Sequence, residues 1–339
     1  MARRSRNRIE PAVMTIVTKS PGVAAGATGE FTLDLSQMAS LVNRRFYRQG
    51  LNWAVAGFKI LTTQAGAITT KKLPNTWVLS NAWEKSMRTW LDMTNAALAE
   101  NESIRPRFMD FKIYADATHH TAGYVGNLLP LDAALPINNA YAAGEWESAK
   151  LSIPLGTPAD PTATAEREII AVGGSYPGNS AATGLNAVSM IEGYSNSRSL
   201  PNVLDPNRPD DADDTVGNTP ENWMAAVFNE GNDQSSDVLE ILIDENNIAP
   251  YPFFNDGVSP DTMYPGGATQ APTLQTHDIS FVTGTTLSST TRVKGGNFPC
   301  GLVRIDYANT GDAPGNIVIQ IDLVPGNHRG YLCESMTEM

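Results

Sequence analysis

Apolar and polar residues alternate in short runs along most of the chain, which is typical of half-buried β-strands. Residues 30–35 and 108–114 alternate in this way, whereas residues 53–61 form a more continuous apolar run that predicts a strand covered on both faces. The same pattern predicts further strands at residues 13–17, 148–153, 168–172, 238–244, 278–282, 302–307 and 316–324. Turns rich in Gly, Pro, Asn and Asp separate these runs, so the sequence predicts an all-β protein with long loops.

Two aromatic helices are predicted between the strands. Asn81 is placed to cap the first, with Glu84 at the third helical position, and apolar residues follow at helical spacing: Trp83, Met87, Trp90, Leu91 and Leu98. The second helix is predicted to begin with Thr219 as its cap and Pro220 in its first turn, and to continue to Phe228. We expect the first helix to lie flat on a sheet.

The two helices are 140 positions apart, and a Pro- and Gly-rich stretch at residues 154–161 lies between them. This order predicts two similar halves in tandem. We therefore expect a basic N-terminal arm at residues 1–12, one β-barrel at 13–157, a second at 162–325, and a C-terminal tail at 326–339. The alternative is a single β-sandwich that carries large insertions in its loops.

Charge is distributed unevenly along the chain. The net charge is −12, yet residues 1–48 hold eight Lys or Arg against three Asp or Glu, and the remainder holds 16 against 33. Much of the positive charge belongs to Arg3, Arg4, Arg6 and Arg8, which no apolar residue interrupts. An acidic body repels nucleic acid and anionic membranes, whereas a cationic arm attracts them. We therefore predict that these four arginines contact nucleic acid or a membrane surface.

No pattern predicts catalysis or a bound cofactor. A nucleophile elbow requires glycine on both sides of a serine, and Pro177 occupies the second position in the stretch that contains Gly173 and Ser175. The chain also lacks a phosphate-binding Gly-Lys-Ser/Thr loop and a dinucleotide-binding glycine fingerprint. We therefore expect a protein that is not an enzyme, with no catalytic residues and no cofactor.

Metal sites and disulfides are weakly indicated as well. His119 and His120, with Asp116 close by, form the nearest approach to a metal cluster, but we expect these histidines to face water from a loop. The acidic stretch 210–214 lacks the glycine and terminal glutamate of a calcium-binding loop and is predicted to be a solvated loop. No metal ligand is predicted. Cys300 and Cys333 are interpreted as reduced, partly buried thiols.

Together, the cationic arm, the acidic β-rich body and the missing catalytic signature resemble a viral coat protein. More narrowly, the chain is similar to the double jelly-roll major capsid proteins of small tailless icosahedral viruses, in particular single-stranded-DNA phages with an internal membrane. The resemblance rests on residues 1–8, 44–53 and 321–332. It implies two tandem jelly-roll barrels, each with one loop helix; the alternative is a single jelly roll with large insertions.

The resemblance also implies a function and partners. It implies a homotrimer that forms a pseudo-hexameric tile and contacts neighbouring capsomers and other virion proteins. Its arm would contact the viral genome or an internal membrane. The protein would be assembled in the host cytoplasm and reside in the virion capsid.

The alternative function is a carbohydrate-binding or glycoside-hydrolysing β-sandwich. It would use exposed tryptophans and an acid pair such as Glu145 with Glu147. We expect most of the six tryptophans to be core residues instead. A fibre or tail-spike subunit is a third possibility, but the elongated sequence repeat typical of such proteins is not visible.

Overall fold

The computed structural model describes residues 11–100, 103, 109–132, 139–144, 146–154, 164–196, 223–224, 273–283 and 290–339. Strands predominate in this part of the chain, as the sequence predicts, and the sheets are largely antiparallel. The strands are β1 (Thr15–Lys19), β2 (Thr28–Asp34), β3 (Leu51–Thr62), β4 (Gly66–Lys72), β5 (Lys150–Pro154), β6 (Thr164–Ile170), β7 (Ala187–Ser189), β8 (Gln275–Val282), β9 (Thr290–Phe298), β10 (Leu302–Asn309), β11 (Ile317–Leu323), β12 (Pro325–Gly326), β13 (Gly330–Tyr331) and β14 (Cys333–Ser335). The helices are α1 (Leu35–Asn43), α2 (Trp77–Glu100), α3 (Ala117–Ala122) and α4 (Met190–Asn196).

The chain divides into two compact units that are not consecutive halves. Unit 1 combines residues 1–75, 124–147 and 275–339, and unit 2 combines residues 76–123 and 148–274. The predicted barrels at 13–157 and 162–325 do not match these units, because β1 pairs with β11, from the other end of the chain. The predicted tail at 326–339 likewise contributes β14, which pairs with β3.

Unit 1 contains two large antiparallel sheets. The first, called the β3 sheet here, has the order β1-β11-β3, and both β9 and β14 also pair with β3. The second, the β10 sheet, has the order β2-β10-β4-β8. The inward-facing residues of both sheets form one hydrophobic core, to which α1 adds Leu35, Met38 and Ala39.

Strand β11 shows why these residues form a two-faced sheet. Its buried positions alternate with half-buried ones along its whole length. The inward side chains of Ile317, Ile319, Ile321 and Leu323 are at most 4% exposed. Burial of each such side chain is worth roughly 2 kcal/mol, so a slip of the register by one residue would be strongly unfavourable.

Helix α1 was not predicted and follows β2 directly. Asp34 is its N-cap and accepts hydrogen bonds from the backbone N–H groups of Ser36 and Gln37 at 2.9 and 3.2 Å. The predicted strand 30–35 therefore ends at Asp34, because its carboxylate satisfies the first N–H groups of a helix.

Unit 2 contains a three-stranded sheet in the order β5-β6-β7, with α2, α3 and α4. The predicted helix start at Asn81 is wrong, because α2 begins at Trp77, where Thr76 Oγ1 accepts a hydrogen bond from Leu79 N at 3.4 Å. Glu84 does not reach back to a cap and pairs with Arg88 instead. The predicted aromatic face is present, since Trp83 and Trp90 lie 6.0 and 5.7 Å from the ring of Phe111.

Three other predicted elements of unit 2 have different outcomes. The strand predicted at 108–114 is extended where described, with buried Phe111 and Ile113 on either side of Lys112, but only Tyr114 forms a β-bridge. The helix predicted at 219–228 is described only at Trp223 and Met224, which are helical and buried. The predicted strand at 238–244 lies outside the described residues.

Within the described part of the chain, no helix is both long and apolar enough to cross a bilayer.

Candidate functional site

The four predicted contact residues, Arg3, Arg4, Arg6 and Arg8, lie outside the described residues. What the structure does describe is the base of the arm, where the chain enters unit 1 before β1. Val13 N donates to Asn43 Oδ1 at 2.9 Å, and Asn43 Nδ2 donates to the Tyr331 hydroxyl at 2.7 Å. The Tyr331 hydroxyl donates in turn to Val13 O at 2.6 Å.

This set of hydrogen bonds stays intact over a wide pH range. Burial raises the pKa of Tyr331 to about 12, although the hydrogen bond from Asn43 opposes the shift. The hydroxyl therefore remains a donor at any physiological pH. The arm leaves the body at a point fixed by the end of α1 and by β13.

Four exposed arginines lie on the chain segments next to this point, and we call them the arm-base cluster: Arg44, Arg45, Arg48 and Arg329. Arg45 Nη1 donates to Pro11 O at 3.3 Å, which brings the cluster to the first described residue. Arg329 Nη1 donates to Phe46 O at 2.5 Å and links β13 to the segment that follows α1. Arg329 lies 281 positions after Arg48, and no local pattern in the sequence indicates that these two stretches come together.

Two of these arginines have a backbone conformation that usually favours glycine. Arg44, directly after α1, has φ 52° and ψ 41°, and Arg329 has φ 50°. A left-handed conformation costs an L-residue about 1 kcal/mol relative to glycine. The side chains at these positions are therefore placed at an energetic cost, which is common at functional sites.

Aromatic rings pack together beneath the surface on which the arm-base cluster lies. The Tyr47 ring lies 6.0 Å from Trp53 and 5.4 Å from Tyr331, and the Trp53 and Tyr331 rings are 5.5 Å apart. The Tyr47 hydroxyl donates to Arg329 O at 3.0 Å. These contacts hold both arginine-bearing segments on a packed base. Guanidinium groups keep their charge at all relevant pH values and bind phosphate or carboxylate with paired hydrogen bonds, so this surface is suited to anions.

The histidine pair of unit 2 was predicted wrongly to face water. His119 and His120 lie on α3, capped by Asp116, and are 1% and 0% exposed. Both rings contact the Tyr114 ring edge to face, at 4.9 and 5.1 Å. Both histidines are buried because α3 turns them towards the core, where both rings meet Tyr114.

His120 belongs to a buried polar chain with Glu168 and Ser148. His120 Nε2 lies 2.9 Å from Glu168 Oε2, and the Ser148 hydroxyl donates to Glu168 Oε1. Burial acts to raise the pKa of Glu168, but hydrogen bonds from His120, Ser148 and Thr183 outweigh it, so the pKa lies below its usual value. Since Glu168 is fully buried, these hydrogen bonds link α3, β6 and the segment before β5, and they do not present a reactive group to solvent.

A second buried carboxylate organises unit 1. Besides capping α1, Asp34 accepts hydrogen bonds through Oδ2 from Trp146 Nε1 at 2.6 Å and from Gln49 Nε2 at 3.1 Å. Its side chain is fully buried. The group fixes the segment 146–147 against β2 and has no exposed oxygen for a ligand.

The tryptophans do not form an exposed platform for a sugar ring. Four of them are buried, and Trp77 and Trp90 are half-buried. The prediction that most are core residues is confirmed for Trp53, Trp83, Trp146 and Trp223. Of the acid pair, Glu147 is exposed and Glu145 lies outside the described residues, as does the acidic stretch 210–214.

Both cysteines carry free thiols, as interpreted from the sequence; Cys300 is buried and Cys333 is half-buried. Burial raises the pKa of Cys333 to about 12. Among the described residues, no three His, Cys, Asp or Glu side chains are grouped so that they could hold a metal ion. Comparisons with protein-family models, curated proteins and solved structures find no match.

Proposed function

We propose that this chain is a structural coat protein of a virus, and that unit 1 is a single jelly roll with large insertions. The observation that carries the proposal is the order in which the chain builds the two sheets. Along the eight main strands of unit 1, β1, β3, β9 and β11 belong to the β3 sheet, whereas β2, β4, β8 and β10 belong to the β10 sheet. Four strands in each sheet, with the chain crossing repeatedly between them, is the arrangement of a jelly roll.

This assignment favours the single-roll alternative over two tandem barrels. The first and last main strands, β1 and β11, are neighbours in one sheet, so one barrel uses both ends of the chain. Residues 73–274 lie between β4 and β8, with only residues 124–147 returning to unit 1. The position of unit 2 between β4 and β8 supports its assignment to long insertions in a single roll.

Jelly rolls occur in viral coats, in lectins and in small-molecule-binding barrels, so the fold by itself leaves several functions open. Three features support the coat. The arm at residues 1–12 precedes β1, the arm-base cluster adds positive charge where the arm leaves the body, and only 18% of the chain is charged, which suits a protein with large contacts to neighbours. The buried tryptophans disfavour a sugar-binding platform.

The proposal includes the partners that the resemblance implies. Copies of the chain would form homotrimers and contact neighbouring capsomers and other virion proteins. The arginines of the arm would contact the genome or an internal membrane from inside the shell. The chain would have a structural rather than a catalytic role in the virion.

Self-assembly tests this proposal directly. Purified full-length protein is analysed by size-exclusion chromatography with light scattering and by negative-stain electron microscopy, with and without single-stranded DNA. We expect masses of three times the 36.4 kDa chain or more, and shells or tiles on the grid. A monomer that persists at all protein and salt concentrations, with DNA present, would overturn the proposal.

A further inference from the structure

The outer face of the β3 sheet carries a group of positive charges that the arm does not explain. Its outward positions form three rows across β1, β11, β3 and β9. The middle row is Val17, Gln320, Lys59 and Arg292; the flanking rows are Thr15, Asp322, Gly57 and Lys294, and Lys19, Val318, Leu61 and Thr290. Four Lys or Arg thus share these twelve positions with one acid, although the chain has a net charge of −12. We call these twelve positions the basic face.

The arrangement of charge on the basic face is unfavourable in the free protein. Lys59 and Arg292 stand directly opposite one another in the β3–β9 register, and no acid shares their row. Like charges in opposed positions of neighbouring strands destabilise a sheet. Lys294 lies two residues from Arg292 on the same exposed side of β9. A bound polyanion would relieve this repulsion.

Two acids close to the basic face take part in local hydrogen bonds. Asp322 accepts hydrogen bonds from Thr15 Oγ1 at 2.8 Å and from Gln320 Nε2 at 3.3 Å. Asp278, on β8, accepts from the backbone N–H groups of Ile279 at 2.9 Å and Lys294 at 3.1 Å. Both carboxylates keep their negative charge while they hold local structure, so they offset at most two of the four positive charges of the basic face.

We propose that the basic face binds the phosphate backbone of nucleic acid and continues the path that the arm begins. β1 is the strand of this sheet beside β11, and the arm precedes β1 in the chain, so the arm leads directly into the sheet that carries the basic face. This inference depends on the proposed function in one respect: a coat protein is expected to meet the nucleic acid that it encloses. The four strands span about 14 Å, which is enough to contact several phosphates of one strand.

The composition of the face favours nucleic acid over a lipid surface and favours backbone contacts over base recognition. A basic surface attracts anionic lipids as well as nucleic acid, but firm membrane attachment also draws on apolar side chains that insert between lipids. The exposed large apolar residues of the described chain (Val13, Val125, Ile279, Phe281 and Leu332) all lie elsewhere. None of the twelve positions is aromatic, so no ring is available for stacking on bases. We therefore expect binding that is insensitive to base sequence.

The test compares two double variants of equal charge change in the full-length protein. Lys59→Gln/Arg292→Gln removes the opposed pair, and Arg88→Gln/Lys150→Gln removes two exposed charges of unit 2. Binding of labelled 30-mers of dT and of dA is measured by fluorescence anisotropy between 50 and 300 mM NaCl. For Lys59→Gln/Arg292→Gln, we expect the slope of log affinity against log salt to fall by roughly 1.4 for both oligonucleotides. The control should keep the wild-type slope.

Three outcomes would overturn the inference: a slope equal to that of the control, a loss confined to one base, or weakened binding to phosphatidylserine vesicles with unchanged binding to DNA. Removal of a like-charge pair should leave the melting temperature unchanged or higher, so misfolding is not a hidden cause. The charge-preserving exchange Lys59→Arg/Arg292→Lys should retain the wild-type slope. Shells with an unchanged slope would overturn only this inference, whereas a monomer with the expected slope change would overturn only the coat proposal.

Discussion

At the scale of single residues, Arg44 shows a conflict between backbone and side chain. Its left-handed conformation after α1 would suit glycine better. We expect Arg44→Gly to raise the free energy of unfolding by about 1 kcal/mol in urea denaturation. Arg48→Gly is the matched control, because Arg48 has no positive φ and should lose stability or show no change. A destabilised Arg44→Gly would mean that the guanidinium itself stabilises the fold.

Glu168 illustrates how a buried charge makes stability depend on pH. Because its pKa is lower in the folded state than in the unfolded chain, its stabilising effect is full above about pH 4.3 and is lost as the pH falls through the folded value. We expect Glu168→Gln to lower the free energy of unfolding by about 2 kcal/mol at pH 7, since hydrogen bonds from His120 and Ser148 lose a charged acceptor.

The measurement is urea denaturation of wild type and Glu168→Gln at pH 7, 5 and 3. The difference in stability should be similar at pH 7 and 5 and smaller at pH 3. Glu147→Gln removes an exposed carboxylate one residue from Ser148 and should have little effect at any pH. A difference that grows as the pH falls would show that the folded pKa of Glu168 is raised instead.

At the scale of elements, the N-terminus of α1 depends on Asp34. Its carboxylate caps the helix and also accepts from Trp146 Nε1 and Gln49 Nε2 in a fully buried place. Asp34→Ala removes the cap and leaves two buried donors without an acceptor, so we expect a loss of about 3 kcal/mol. Asp34→Asn keeps one acceptor oxygen and should cost less. Thermal melts followed by far-UV circular dichroism measure both; equal stability of Asp34→Ala and wild type would contradict this account.

The same element shows which local signals the sequence does contain. Asp34 followed by Gln37 three positions later is half of a capping box, and it marks the start of α1. This capping signal was missed because Leu35 continues the apolar alternation of β2, so residues 30–35 were predicted as one strand. Strand β11 was predictable, since its alternation is unbroken. Strands β4 and β9 were not, because Thr, Lys and Gly dilute the apolar pattern where only one face is buried.

Periodicity also fails where an extended segment is held by scattered hydrogen bonds. In residues 109–114, burial alternates only from Asp110 to Ile113, and the segment is held by separate hydrogen bonds: Tyr114 N donates to Ile169 O, and Lys112 O accepts from Ala149 N. Such a segment resembles a strand in sequence without belonging to a ladder. The burial of His119 and His120 had no sequence signal of this kind, because it depends on the Tyr114 ring and on Glu168, 48 positions after His120.

At the scale of the whole molecule, the division of the chain could not be read from local pattern. Thr15 pairs with Asp322 across 307 positions, and nothing in the sequence near either residue specifies that partner. The predicted tandem halves relied on a repeated order of strands and helices, whereas the structure joins the two ends of the chain in one sheet. The arm-base cluster depends on a similar long-range contact, because Arg329 reaches the segment of Arg44, Arg45 and Arg48 through its hydrogen bond to Phe46 O, 283 positions earlier.

The charge distribution of the whole chain leads to the last prediction, which separates the arm from the basic face. Replacement of Arg3, Arg4, Arg6 and Arg8 by Ala should reduce the salt slope of single-stranded-DNA binding by up to about 2.8, with the melting temperature unchanged. Replacement of the same four by Lys should keep the slope. If arm and face contact different phosphates, the arm substitutions combined with Lys59→Gln/Arg292→Gln should change the slope by the sum of both effects. A combined effect no larger than that of the arm alone would show that the arm holds the nucleic acid by itself.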